Sequence, residues 1–172
     1  NAVLMLGSSE AQLLPLVHFA RERDLLLRFI ELMPVSTQDV LHEDRFFASG
    51  KARRLIEVST GPLTPRPEFK TNGPASYYEL PESNGQLIGF IGAMTNLHFC
   101  ETCNKLRLTC DGKLRPCLGS YLEFDFKKVL RKPGVTDEEI AAFFQHVVDR
   151  KPKEHDFRND YQPNRKMIAI GG

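Results

Sequence analysis

A net charge of +1, from 23 Lys and Arg against 22 Asp and Glu, gives no global attraction for nucleic acid or an anionic membrane, so any charge-based function must be local. The 41% hydrophobic and 26% charged fractions are those of an ordinary folded domain, and no apolar run approaches the roughly 20 residues that a membrane span needs. The 172 residues suffice for one large domain or for one and a half small ones. Four cysteines without secretory features indicate a reducing compartment, and we expect the cytoplasm.

The beginning of the chain predicts a strand–helix–strand unit. Ala2–Leu6 forms a short apolar strand, and Ser9 is a candidate N-cap for a helix that runs to about Arg23. The nearly continuous apolar run Leu25–Met33 predicts a strand that is buried on both faces. Strand, helix and strand over about 30 residues make a βαβ unit, which implies parallel strands.

Two charged residues, Arg28 and Glu31, interrupt the second strand. In a parallel sheet, polar side chains on a buried strand or at its carboxyl end often belong to a site. The alternative is a satisfied ion pair or a position that faces solvent, and the sequence leaves both open.

Composition divides the chain into three segments. Residues 1–60 form the βα part, residues 61–75 a connecting loop with four of the eleven prolines, and residues 76–172 a region of short strands with helices after them. Thr136 as N-cap with Glu139 three residues later gives the last helix a capping box. The predicted strands are Tyr77–Leu80, Gln86–Ile91, Arg107–Thr109 and Lys113–Leu118, and the predicted helices are Phe124–Arg131 and Thr136–Arg150.

The most informative pattern is the run FCETCNKLRLTCDGKLRPC, in which three cysteines have the spacing C-x2-C-x13-C. These cysteines are Cys100, Cys103 and Cys117. Thiolates favour iron–sulfur clusters, zinc and copper(I). Three of them among basic residues indicate a cluster or metal with one open position beside an anionic ligand, whereas a closed four-ligand site is usually structural.

The fourth cysteine, Cys110, decides between an open and a closed site through the register of the hairpin. A three-residue loop, with Gly112 in the left-handed conformation, puts Cys110 in the turn and pairs Arg107 with Arg115. A two-residue Asp111-Gly112 loop would instead pair Cys110 with Lys113 and move Cys117 away from Cys103. Only the first register builds a three-thiolate site beside two cations, and we favour it.

The first register also sets Lys105 opposite Cys117. Four cations with no acidic partner opposite would be costly on a hairpin, which favours an anionic ligand over a merely solvated strand face. The four are Lys105, Arg107, Lys113 and Arg115. Structural zinc is disfavoured because a second C-x2-C knuckle is missing, and a disulfide framework because this length supplies a core without covalent staples. His98, near the first cysteine, is more often an exposed residue than a fourth ligand.

The motif, together with RFIELMPV upstream, NGPA in the loop and the terminal IGG, resembles the C-terminal part of the GTP 3′,8-cyclase family. These are radical S-adenosylmethionine lyases of molybdenum cofactor biosynthesis, which convert GTP to (8S)-3′,8-cyclo-7,8-dihydroguanosine 5′-triphosphate. The resemblance covers the whole chain. It implies an α/β fold, in which the last part of an incomplete TIM-type (β/α) barrel precedes an α+β auxiliary-cluster region with an antiparallel hairpin.

The resemblance also implies roles for individual residues. The ligands of a [4Fe–4S] cluster whose open iron binds GTP would be Cys100, Cys103 and Cys117. The substrate-binding residues would be those that match the family's R-L-R triplet, with one more on the second strand: Lys105, Leu106, Arg107 and Arg28. Met33 matches a residue of the S-adenosylmethionine pocket. The tail residues Gly171 and Gly172, which in the family insert toward the active site, would be catalytic.

Two departures from the family pattern matter. Lys105 stands where the family usually has arginine, so the charge is kept while the bidentate fork is lost. No C-x3-C-x2-C occurs in these residues, so we expect a fragment or one half of a split enzyme that is inactive alone.

The resemblance implies as partners GTP, S-adenosylmethionine and the missing N-terminal half with its own [4Fe–4S] cluster. A homodimer stays open, and neither nucleic acid nor membrane is expected. The alternative is a non-catalytic zinc- or cluster-binding module with a basic face for a nucleotide or a protein.

Overall fold

A five-stranded sheet and a three-stranded sheet organise the residues that the computed structural model describes, which are 1–35, 43–159 and 161–170. The chain divides into two compact units around these sheets. The first unit comprises Asn1–Met33 and Leu41–Cys103, and the second comprises Pro34–Val40 and Asn104–Gly172. Within the described ranges, every helix is too short or too polar to cross a membrane.

The first unit is a mixed sheet covered by two helices. Its strands and helices are β1 (Ala2–Leu4), α1 (Leu13–Glu22), β2 (Leu27–Glu31), α2 (Ser49–Thr60), β3 (Thr64–Pro65), β4 (Ser76–Glu79) and β5 (Leu87–Ile91). The strand order is β1-β2-β5-β4-β3. The strands β1, β2 and β5 are parallel, while β4 and β3 run antiparallel to their neighbours. The parallel pairing of β1 and β2 around α1 confirms the predicted βαβ unit.

The start of α1 differs from the sequence prediction. A 3₁₀ turn, Glu10–Gln12, precedes the α-helix, and Ser9 makes no side-chain cap hydrogen bond. The Ser9 hydroxyl instead accepts a hydrogen bond from the Met5 amide at 2.8 Å. Ser9 therefore ties the helix to the end of β1, and its predicted role as a helix cap is wrong.

The strand β2 is buried on one face only, which corrects the prediction of burial on both faces. Leu27, Phe29 and Glu31 are buried, whereas Arg28 and Ile30 are half-buried. The alternation arises because α1 and α2 pack on the same face of the sheet as Leu27 and Phe29. The other residues of this core include Leu4, Leu13, Val17, Ala20, Ala52, Ile56, Ile88 and Phe90.

The absence of a side chain at Gly89 allows β5 to lie between its two neighbours. Gly89 is paired with Arg28 of β2 and with Tyr77 of β4. A Cβ at this position would lie 2.8 Å from Tyr77 Cε1 and 2.9 Å from Arg28 Cγ. We expect Gly89→Ala to lower the free energy of unfolding by about 1–3 kcal/mol in urea titration, because the extra methyl group overpacks the sheet.

Gly50, in the first turn of α2, is the matched control for that substitution. A Cβ there meets nothing within 4 Å, and alanine is the better helix former. Gly50→Ala should therefore leave stability unchanged or raise it slightly. Equal destabilisation by the two alanines would show that the close contacts at Gly89 do not matter.

The second unit is an antiparallel sheet with helices after it. Its elements are β6 (Arg107–Leu108), β7 (Lys113–Arg115), β8 (Phe124–Asp125), α3 (Phe126–Leu130), α4 (Asp137–Asp149) and a 3₁₀ turn at Met167–Ala169. The strand order is β6-β7-β8. The predicted capping box at Thr136 and Glu139 is confirmed, and Asp125 caps α3 by accepting a hydrogen bond from the Lys128 amide at 2.9 Å.

The mixed α/β fold and the antiparallel hairpin of the sequence analysis are confirmed, while the partial TIM-type barrel stays a prediction. The sequence-based segments differ from the two compact units. The strands β4 and β5 lie in the predicted third segment, yet they join the sheet of the first unit. The predicted connecting loop contains the short edge strand β3.

Candidate cysteine motif and basic hairpin

The hairpin of β6 and β7 has the register that the three-residue loop predicted. Arg107 pairs with Arg115 across the ladder. The turn closes with the Gly112 amide donating to the Thr109 carbonyl at 3.0 Å, and Gly112 has a φ of +84°, which favours glycine. Cys110 is therefore exposed in this turn, at the tip of the hairpin.

Beyond the ladder, the ammonium group of Lys151 joins the two sides of the hairpin. Pro116 has no amide hydrogen with which to extend the ladder. Lys151 Nζ donates to the Lys105 carbonyl at 2.8 Å and also to the Pro116 carbonyl. The predicted pairing of Lys105 with Cys117 does not form, because the ladder ends at the arginine pair. Lys151 thus fixes the main chain at Lys105, a candidate phosphate-binding residue, and at Pro116, which directly precedes the candidate metal ligand Cys117.

Lys113 and Arg115 have acidic partners, so the expectation of uncompensated charge is wrong for these two residues. The Arg115 side chain is 0% exposed, and its Nη1 lies 3.3 Å from Glu123 Oε1. Its guanidinium also donates to the carbonyl of Ser120. Lys113 Nζ lies 3.2 Å from Glu123 Oε2. These two cations stabilise the sheet, and their partner Glu123 directly precedes β8, whose residues were expected to begin a helix.

The remaining basic residues keep their candidate role in binding phosphate. Lys105 is exposed, and Leu106 and Arg107 are half-buried. Arg107 lies in β6, so its backbone is fixed by the ladder, while the backbone of Lys105 is held by Lys151. Cations presented from a fixed backbone suit charge-assisted hydrogen bonds to phosphate oxygens.

The cysteines of the motif are thiols that are not joined in disulfides, and they are divided between the two units. Cys100 and Cys103 are half-buried and share a turn, in which the Cys103 amide donates to the Cys100 carbonyl at 3.1 Å. Cys117 is half-buried in the second unit, just after β7. Within the described part of the chain, no three His, Cys, Asp or Glu side chains are grouped to hold a metal ion. His98 is exposed and lies 2.6 Å from the Glu101 carboxylate.

Half-buried thiols outside disulfides are the donors that an iron–sulfur cluster requires, so the residues of the motif fit such a group in kind. A four-cysteine zinc site would need Cys110 beside Cys117. The hairpin separates these two residues, because Cys110 is in the turn and Cys117 follows the opposite end of the ladder. The hairpin therefore does not place Cys110 where it could join Cys117 as a ligand of the same metal.

The other predicted site residues lie in the first unit or in the tail. Arg28 is half-buried, and its Nε donates to Asn1 Oδ1 at 2.9 Å. Met33 is half-buried and lies two residues beyond the end of β2. Gly171 and Gly172 lie outside the described residues.

Glu31, the second charged residue of β2, is a structural carboxylate. Its side chain is 0% exposed and accepts hydrogen bonds from both the amide and the hydroxyl of Ser49, each at 2.8 Å. It also accepts hydrogen bonds from the Met94 amide at 2.9 Å and from the Thr95 amide and hydroxyl at 3.0 and 2.6 Å. Burial by itself raises the pKa of Glu31, but the hydrogen bonds from Thr95, Ser49 and Met94 outweigh it and lower that pKa. Glu31 thus fixes the start of α2 and the segment after β5.

Fold and motif together define a class of domain in which a cysteine turn is followed by a basic hairpin with a third thiol. The chain belongs to the family described as Molybdenum Cofactor Synthesis C, which matches residues 25–157. This membership confirms the resemblance that the cysteine motif carried.

Several curated relatives are similar to the chain over its full length. It is 43% identical to the GTP 3′,8-cyclase of Moorella thermoacetica over 178 aligned positions, and 40% identical to that of Syntrophomonas wolfei over 174. It is 37% identical to that of Pelotomaculum thermopropionicum over 172 positions. Each comparison covers 100% of this chain and 52% of the relative, so the chain spans about half the length of the curated relatives it matches.

Proposed function

We propose that this chain is the C-terminal, substrate-binding part of a radical S-adenosylmethionine GTP 3′,8-cyclase of molybdenum cofactor biosynthesis. The observation that carries the proposal is the C-x2-C-x13-C motif, whose third thiol follows a hairpin in the predicted register, in a chain of this family. The relatives named GTP 3′,8-cyclase support GTP as the substrate. The product would be (8S)-3′,8-cyclo-7,8-dihydroguanosine 5′-triphosphate, as the resemblance implies.

The three thiols of the motif, Cys100, Cys103 and Cys117, would hold a [4Fe–4S] cluster. When bound, the cluster supplies an iron with an open coordination position for the purine of GTP. Lys105 and Arg107 would bind the triphosphate. The guanidinium of Arg107 can hold two phosphate oxygens at once, whereas the ammonium of Lys105 acts as a single point of charge.

The rest of the machinery would come from both halves of the enzyme. Met33 would line the S-adenosylmethionine pocket, Arg28 would contact the substrate from the same strand region, and Gly171 with Gly172 would take part in catalysis. The residues that cleave S-adenosylmethionine would lie in an N-terminal half that carries the family's C-x3-C-x2-C motif. We therefore expect no turnover of GTP by this chain alone, and the cytoplasm and a homodimer stay predictions.

Metal analysis after anaerobic reconstitution tests the proposed cluster. We expect about four irons and four sulfides per chain. Cys117→Ala should lose them because it removes one of three ligands. The matched control, Cys110→Ala, should keep them because Cys110 lies in the exposed turn. One zinc per chain that is lost in both variants would contradict the proposal and favour a non-catalytic zinc module with a basic binding face.

A further inference from the structure

The residue that closes the open end of the hairpin, Lys151, is itself fixed by helix α4. Its amide donates to the Val148 carbonyl at 3.0 Å, which ties its backbone to the last turn of the helix. Its half-buried side chain reaches the carbonyl of Lys105, at 2.8 Å, and that of Pro116. The end of a helix therefore determines where the two sides of the hairpin meet, and all these residues belong to the second unit.

The chain on the other side of Cys117 is anchored to the same stretch, which we call the return segment (residues 151–157). The Asp156 amide donates to the Gly119 carbonyl at 2.8 Å. A Cβ at Gly119 would lie 2.7 Å from Phe157 Cε1, so the Phe157 ring packs directly on this backbone. Cys117 thus lies between two points, at Pro116 and Gly119, that the return segment holds.

The ammonium of Lys151 also links Lys105 to Cys117 through the backbone. The ladder ends at the pair of Arg107 and Arg115, and the contacts of Lys151 lie beyond that pair. Hydrogen bonds from an ammonium to a carbonyl are charge-assisted, and they are stronger than those between neutral groups. One side chain therefore holds the backbone of Lys105 and the backbone next to Cys117 at a fixed separation.

We propose that Lys151 is a positioning residue that couples the candidate triphosphate site to a candidate cluster ligand, by holding the backbones of Lys105 and of the Cys117 segment together. This inference rests on the proposed function, in which Lys105 binds phosphate and Cys117 binds iron. Lys151 acts through these two residues, since its ammonium donates to main-chain carbonyls. No local pattern distinguishes Lys151 from an ordinary basic residue at a helix C-terminus.

Three substitutions separate the hydrogen bonds of Lys151 from its charge. Lys151→Met keeps an apolar stem and removes the donor, whereas Lys151→Arg keeps the positive charge and can donate to both carbonyls. Lys153→Met, at an exposed position of the return segment, is the matched control for the loss of one charge. The ladder and the contacts at Gly119 do not involve the Lys151 ammonium, so the hairpin should stay folded in each variant.

Alkylation of the thiols tests the contact in the absence of metal and substrate. With iodoacetamide and peptide mass spectrometry, we expect Cys117 to react at least about fivefold faster in Lys151→Met, because the backbone before it opens locally. Lys151→Arg and Lys153→Met should react like wild type, and Cys100 and Cys103, in the first unit, should keep their rates in every variant. An unchanged rate at Cys117, or an equal rise at all three thiols, would overturn the positioning role.

Iron release from the anaerobically reconstituted chain tests the effect on the cluster. A chelator should remove iron about tenfold faster from Lys151→Met than from wild type, because the residue that orients one ligand is lost. Lys151→Arg should restore the slow release. Equal rates in Lys151→Met and wild type would contradict the inference. If the wild-type chain takes up no iron, the proposed cluster fails and the coupling with it, while the alkylation rates still report on the backbone contact.

Binding of inorganic triphosphate tests the coupling on the substrate side, because this probe lacks the purine that would contact iron. In calorimetric titration, Lys151→Met should raise the Kd of triphosphate about fivefold, and Lys151→Arg should restore it. In a chain that already carries Lys105→Met, Lys151→Met should cause no further loss, since it acts through Lys105. Effects that multiply would show that Lys151 acts elsewhere and would overturn the coupling. If Lys105→Met alone leaves this Kd unchanged, the proposed role of Lys105 fails and the coupling with it, while the alkylation rates still report on the contact at Cys117.

Discussion

Glu31→Gln should lower the free energy of unfolding by about 3 kcal/mol, one of the two largest stability effects expected in this chain. The buried carboxylate accepts five hydrogen bonds, which come from Ser49, Met94 and Thr95. Glutamine has one acceptor oxygen, no charge and an amide group that would face donors. Buried donors are then left unpaired, and each costs about 1–3 kcal/mol. Urea unfolding at neutral pH measures the loss.

The control for this substitution is Glu22→Gln, at the exposed end of α1. The Glu22 side chain is 72% exposed, so its substitution should change stability by no more than about 0.5 kcal/mol. Similar losses in the two variants would show that the hydrogen-bonded carboxylate of Glu31 is not what holds α2 and the segment after β5.

The pH dependence of unfolding gives a second measure of Glu31. Its pKa is lower in the folded chain than in the unfolded chain, because its hydrogen bonds outweigh the effect of burial. The folded state therefore gains the full stabilisation above the unfolded-state pKa and loses it as the pH falls through the folded-state pKa. Wild type should lose more stability than Glu31→Gln between pH 6 and about pH 3. Parallel pH profiles would contradict the lowered pKa.

The features that the sequence predicted correctly depend on residues that are close together in the chain. The βαβ unit follows from hydrophobic periodicity, and the capping box from Thr136 and Glu139. The hairpin register follows from Gly112, because a residue that tolerates positive φ selects the loop length and hence the strand pairing. The same local logic put Cys110, the fourth cysteine, in the turn.

The features that the sequence did not predict depend on contacts between distant residues. The helix α2 begins at Ser49 without a side-chain cap, since its first amide is bound by Glu31 from another element. The charge balance of the hairpin depends on Glu123, which is visible as a partner only once β8 pairs with β7. Lys151 lies some 35 to 46 positions along the chain from the two carbonyls it joins. No local pattern predicts these contacts, because the residues adjacent in sequence do not indicate which distant groups will be brought close by the fold.

Arg115→Met should destabilise the second unit by about 3 kcal/mol, the other large effect expected. The Arg115 guanidinium is fully buried and is bound by Glu123, Asn164 and Tyr161. Removing the guanidinium takes one cation from the largely buried Glu123 carboxylate, and it removes the hydrogen-bond donor from Asn164 Oδ1 and the Tyr161 hydroxyl. Urea unfolding measures the change. Lys113→Met is the matched control, because Lys113 contacts the same carboxylate from a side chain that is 37% exposed, and it should cost no more than about 1 kcal/mol.

A comparison of Arg115→Met with Arg107→Met distinguishes two possible roles for the arginines of the hairpin, which are binding phosphate and stabilising the sheet. If Arg115 were a phosphate ligand, as the run of basic residues suggested, Arg115→Met would weaken GTP binding and leave unfolding unchanged. Its burial against Glu123 predicts the reverse for the folded variant, in which stability falls while the Kd of GTP changes little. Arg107→Met should show the opposite pattern, because Arg107 is only half-buried and is one of the residues proposed to bind the triphosphate. Although the two arginines are paired in the ladder, one would then bind the substrate and the other would hold the sheet together.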